Sequence, residues 1–124
     1  MPSPEFSCTV VTRPIPEQTD PETSVYAFAY TITIRNVGQV PGQLIARHWV
    51  ITDAVGRVEE VRGLGVVGHQ PFLQPGESFE YTSGTRLPTP YGSMRGTYFC
   101  MTEEAQGFDV PIPEFTLAAA SALH

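Results

Sequence analysis

Six residues, Gly63-Leu-Gly65-Val-Val-Gly68, carry the spacing most suggestive of chemistry in this chain of 124 residues. A G-x-G-x-x-G turn that follows a strand and opens a helix aims backbone N–H groups and the helix N-terminus at a pyrophosphate. Here the motif runs into His69-Gln-Pro71-Phe-Leu-Gln-Pro75-Gly76, which cannot form the body of a long helix. The dinucleotide-fold reading fails on that context. Two readings stay open. In one, the turn orients successive N–H groups into a small anion-binding concavity, a phosphate site made of Arg62, Gly63, Gly65, Gly68 and His69. In the other, the glycines permit a bulge, a tight bend or a close approach of two backbones.

Other reactive residue types are present but scattered. Ser93 directly follows Gly92 in Gly92-Ser-Met-Arg-Gly96, so the strained G-x-S-x-G elbow of a serine hydrolase is not formed. His48, His69 and His124 share no short spacing, and Cys8 and Cys100 stand alone, so no metal-ligand pattern emerges. Glu59-Glu60 and Glu103-Glu104 are adjacent pairs, and adjacent residues of a strand point to opposite faces. Neither pair makes a two-carboxylate site by itself. No catalytic residue, metal site or cofactor is expected, which points to a protein that acts by binding.

Composition narrows what could be bound. The formal charge is −6, which argues against general affinity for nucleic acid. All seven basic residues are arginine, whose planar fork suits carboxylates and phosphates, although a compositional bias of the genome produces the same usage. No apolar run reaches the ~18 residues of a membrane span. Met1-Pro-Ser-Pro-Glu-Phe6 has neither a basic start nor an apolar run, so no secretory signal is expected and the cytoplasm is the default compartment. In that reducing setting Cys8 and Cys100 are expected as small packed residues, not as a disulfide.

The elements that must position these residues are strands. Twelve prolines and eleven glycines punctuate the whole chain, with β-rich runs between them. The runs are 6–12, 25–36, 44–52, 57–62, 77–82, 96–102 and 108–117, for a count of seven or eight strands. The clearest is the second, where Tyr26, Phe28, Tyr30, Ile32 and Ile34 share one parity and predict one buried face. In the third, Ile45, Trp49 and Ile51 are assigned to the core, which puts Arg47 on the same parity. It must then snorkel, lie near a sheet end or pair with a carboxylate. Pro14 with Pro16, and Pro111 with Pro113, each strip N–H donors from one side of a strand and predict sheet edges there. Such an edge is either protected against aggregation or open to a partner peptide. A short helix-period tail over 117–123 is too short to be stable alone, and 118–124 is expected to fray. One domain, 1–124, is expected, built as an all-β, two-sheet antiparallel sandwich.

Several segments, taken in order, resemble the ApaG family (CorD, the DUF525 domain). They include Tyr26-Ala-Phe-Ala-Tyr-Thr-Ile-Thr-Ile-Arg-Asn36, Arg47-His-Trp-Val-Ile-Thr-Asp53, Glu60-Val-Arg-Gly-Leu-Gly-Val-Val-Gly68, Leu73-Gln-Pro-Gly-Glu77, Gly92-Ser-Met-Arg-Gly-Thr-Tyr98 and Ile112-Pro-Glu-Phe-Thr-Leu117. The resemblance spans nearly the whole chain. It implies an immunoglobulin-like or fibronectin type III-like sandwich. It also implies a link to cobalt and magnesium tolerance, use of the domain as an interaction module in larger proteins, and a suggestion that the glycine motif binds pyrophosphate-containing nucleotides. It supplies no catalytic residues. The expected partner is another protein, with a nucleotide or pyrophosphate as the alternative, and the chain is a monomer or a homodimer.

Overall fold

In the computed structural model, which describes residues 3–119, the strongest alternating run becomes the centre of one sheet. This strand, β2 (Tyr26–Asn36), follows β1 (Phe6–Pro14), and six more come after it. They are β3 (Gly42–Asp53), β4 (Val58–Leu64), β5 (Phe72–Leu73), β6 (Ser78–Leu87), β7 (Tyr91–Thr102) and β8 (Gly107–Ala118). One sheet has the order β1-β2-β6; the other runs β4-β3-β7-β8, with β5 also on β3. Every pairing is antiparallel. Three strands facing four in this order is the fibronectin type III-like sandwich that the family resemblance implies, with β5 added.

The core lies between the sheets. Phe28, Tyr30, Ile32 and Ile34 of β2 are buried, as their parity requires, and they face Leu44, Trp49, Met94, Tyr98, Val110, Ile112 and Leu117. Trp49 sits among Tyr30, Tyr98 and Phe115, with ring centroids 5.4–6.4 Å apart and steep interplanar angles. The other parity of β2 is covered at its start, although Arg35 at its end is exposed. Ala27 and Ala29 form a second small apolar cluster with Ile15. The connection between β1 and β2 carries two 3-10 turns, Pro16–Gln18 and Pro21–Thr23, and the Thr19 hydroxyl ties it down by accepting from Ala27 N–H and donating to the Ile15 carbonyl.

Three expectations need correction, and one short strand went unread. Ile45 does not share the core parity of Trp49. A β-bulge between Leu44 and Ala46 shifts the register against β7, so Leu44 is fully buried and Ile45 only half-buried. A bulge adds one residue without changing composition, so alternation read across it is wrong on one side. The run over 96–102 begins too late, since β7 already starts at Tyr91. The two-residue β5, wedged between Pro71 and Pro75, is too short to show alternation. At the C-terminal end, Leu117 is buried and closes the expected run 108–117, but Ala118 still belongs to β8 instead of standing in a helical or frayed tail. Residues 120–124, the rest of that segment, lie outside the described residues.

Edges fall where the prolines predict. β1, ending at Pro14, borders the small sheet, and β8, with Pro111 and Pro113, borders the large one. Cys100 is buried, Cys8 is half-buried against the core, and both are free thiols.

Candidate functional site

The glycine motif straddles the end of β4 and the excursion to β5. Both strands pair with the same flank of β3, and the chain loops out where β3 bulges. The Ile45 carbonyl accepts from Gly65 N–H at 2.8 Å and from the Gln70 amide at 2.9 Å. Val66 and His69 then exchange both N–H···O bonds at 2.8 Å, which closes a two-residue turn over Val67 and Gly68. Both turn residues have positive φ, 41° and 83°, the combination of a type I′ hairpin turn. Val66 itself plugs into the core and is almost fully buried.

Each glycine has a local reason to be glycine. Gly65 has φ +64°, and any Cβ there would collide with the His69 carbonyl. Gly68 supplies the second left-handed position of the turn. Gly63 lies beneath the Arg47 guanidinium, whose atoms sit 2.8–2.9 Å from where a Cβ would be. This resolves the inward parity of Arg47. Its Nη1 donates to the carbonyls of Leu64 and Gly65, both at 2.9 Å, so backbone oxygens take the place of a carboxylate. The N–H groups of Gly65, Val66 and His69 are thus committed to backbone partners.

Of the five residues singled out from sequence, the structure brings Arg62 and Gly63 into a shallow groove of about 610 Å³ on the outward face of the large sheet. Gly65, Gly68 and His69 do not line it. His69 instead rests its ring against Phe79 of β6, 5.7 Å between centroids. The groove is walled by Arg62 and Leu64 of β4, Ala46 and His48 of β3, Thr97 and Phe99 of β7, and Asp109 of β8. Leu64 and Phe99 are exposed there, Leu64 three-quarters so. His48 Nε2 meets Glu60 Oε1 at 2.7 Å, and an Arg62 Nη atom lies 3.5 Å from the same oxygen. The His48 hydrogen bond holds the Glu60 carboxyl below its ordinary range; slight burial opposes this and the Arg62 charge adds to it.

Sequence reasoning missed His48, Thr97, Phe99 and Asp109 as one surface. They come from three strands far apart in the chain and form no local motif. The available signal was parity: His48 stands opposite in phase to the core residue Trp49. Among the described residues, no three His, Cys, Asp or Glu side chains converge as metal ligands, and no helix is long and apolar enough to cross a membrane.

The ApaG domain (DUF525) matches residues 16–102. Protein ApaG of Ralstonia nicotianae is 62% identical over 120 residues, covering 97% of each chain. Protein ApaG of Bordetella pertussis is 58% identical over 120 residues, 97% of this chain and 92% of its own. The crystal structure of a Bordetella pertussis protein described as ApaA superposes with a TM-score of 0.91 at 57% identity, covering 94% of this chain and 95% of that one.

Proposed function

The chain belongs to the ApaG domain family, and from that premise we propose that it is a non-enzymatic module that binds another protein through the outward groove of its large sheet. One observation carries the reading. The exposed side chains of Leu64 and Phe99 flank a strip of hydrogen-bonding and charged groups, His48, Arg62, Thr97 and Asp109, on one face of the large sheet. Apolar anchors beside a polar rim are the anatomy of a protein interface. Nothing in the groove pairs a nucleophile with a base, and its one close His–carboxylate pair sits on an open surface. A link to cobalt and magnesium tolerance would then run through the partner.

Affinity capture with wild type and with Phe99→Ser tests the reading. A partner held by the wild type and lost by the folded variant is expected. Identical capture by both would remove the groove from consideration.

Pyrophosphate or nucleotide binding at the glycine turn is the second reading. It is favoured by one observation: the turn leaves the N–H groups of Val67 and Gly68 outside its backbone pairing. Amide shifts recorded while pyrophosphate and ATP are titrated, with and without Mg²⁺, separate the two. Saturable shifts centred on 62–69 support the nucleotide site, and flat spectra at millimolar ligand leave the turn structural.

A further inference from the structure

Of the four strands that end the two sheet orders among the described residues, two carry proline and two do not. β1 and β8 are the protected pair, whereas β4 and β6 contain none. β4 ends the large sheet. Its backbone phase follows from the bonds at its two ends, where Asp53 N–H donates to the Arg57 carbonyl and Gly65 N–H to that of Ile45. Odd-numbered residues therefore turn their N–H and C=O toward β3. Val58, Glu60, Arg62 and Leu64 turn theirs toward the open side, and the side chains of these four project onto the outward face, all exposed. The exposed end residues, Val58 and Leu64, are apolar; the two between are oppositely charged.

We propose that two copies of this chain associate through β4, antiparallel, about a twofold axis at Val61. In this register Glu60 of each copy stands opposite Arg62 of the other, and Val58 stands opposite Leu64. Cross-strand pairs of opposite charge and of apolar side chains are the units that stabilise a sheet. The backbone phase agrees, because Val58, Glu60, Arg62 and Leu64 are the residues with groups to share. The neighbouring registers that keep this phase fail on charge: one sets Glu60 against Glu60, the other Arg62 against Arg62.

The inner face fits as well. Glu59 points toward the sandwich side of an edge strand, a placement that discourages indiscriminate pairing. In the twofold register its neighbour is Gly63 of the second copy, the residue on which the Arg47 guanidinium lies. Among the described residues, Arg47 makes no ion pair with a carboxylate of its own chain. The second copy supplies one. The joined sheet runs from β8 of one copy to β8 of the other, so both remaining ends carry the proline protection.

Sedimentation of the full chain, at concentrations up to about 1 mM, tests the proposal. The mass is expected to rise from 13.6 kDa toward twice that value as concentration increases. Glu60→Arg and Arg62→Glu each create two like-charge oppositions and should weaken association roughly tenfold. Combining Glu60→Arg with Arg62→Glu re-pairs the charges in swapped order and should restore the dimer. Arg62→Pro removes an N–H that faces the open edge and not β3, so it should abolish association in a chain whose thermal melt shows it folded. A wild type that stays monomeric throughout, or a double variant no better than the singles, overturns the proposal.

Discussion

The hydroxyls of Tyr81 and Tyr98 meet across the middle of the sandwich, one from each sheet, in a buried hydrogen bond. This contact is a polar link between the two layers within an otherwise apolar core. Burial pushes both phenols above their usual range. For Tyr98 the neighbouring Tyr81 adds to the rise, and for Tyr81 the bond from Tyr98 offsets part of it.

Tyr98→Phe leaves the Tyr81 hydroxyl buried without its partner, and should lower stability in urea by about 1–3 kcal/mol. Tyr81→Phe combined with Tyr98→Phe should cost less than the sum of the single changes, because no orphan remains. The raised phenols also set an alkaline limit. Their contribution is complete below the unfolded value of 10.0 and is lost as pH climbs above it toward the folded values. Tyrosine ionisation followed by ultraviolet absorbance should coincide with unfolding.

Val67 is a β-branched residue at φ 41°, a conformation that an L-residue with a branched Cβ resists. Val67→Asn should stabilise the protein by about 1 kcal/mol, since asparagine accepts the left-handed position of a type I′ turn. Gly65→Ala should do the opposite and cost more than about 1 kcal/mol, as a Cβ there meets the His69 carbonyl. Chemical denaturation of the two variants checks both signs. The clash makes Gly65 substitutions poor probes of ligand binding, for which Arg62 and His69 are the better positions.

Asp53 closes the β3–β4 turn. Burial alone would raise its carboxyl, but the N–H groups of Arg57 and Val55 and the Arg57 guanidinium outweigh that and hold it below the usual range. The unfolded chain therefore takes up the proton first. The stabilisation is present above pH 3.8 and is lost as pH falls below it toward the folded value. Asp53→Asn should melt lower than wild type at neutral pH, with the gap closing on acidification. An unchanged gap at low pH would contradict this account.

Burial raises the Cys8 thiol to about 11 and the Cys100 thiol to about 12, the latter with a smaller push from Asp109. For Cys8 that lowers the thiolate fraction at pH 8 by about a hundredfold. Iodoacetamide should label the native protein slowly at that pH and the urea-unfolded protein quickly, as mass spectrometry of the quenched reaction would show.

The sheet faces were legible because alternation is a local property. Phe28, Tyr30, Ile32 and Ile34 declare their side without reference to any other strand, and the Pro-x-Pro pairs declare their edges in the same way. What was not legible depended on partners distant in sequence. Arg47 is placed by the carbonyls of Leu64 and Gly65, and the phase of Ile45 by a bulge against β7. The glycine motif was visible as a motif, but its role turns on which N–H groups the backbone has already engaged. His48, Thr97, Phe99 and Asp109 become one surface only after three strands have been laid side by side.

The pairing of β3 with β7 has a further consequence, one of timing. Residues 42–53 find their main neighbour in 91–102, and β2 finds β6 across a similar stretch of chain. Only β1 with β2, β3 with β4 and β7 with β8 are close enough in sequence to meet early. A chain wired this way must close long loops before its central strands are rewarded, which places its folding among the slow, millisecond-to-second class. During synthesis Trp49 and its aromatic neighbours wait for Tyr98 and Phe115, so the interval before the last third of the chain emerges is when this protein is most exposed to aggregation.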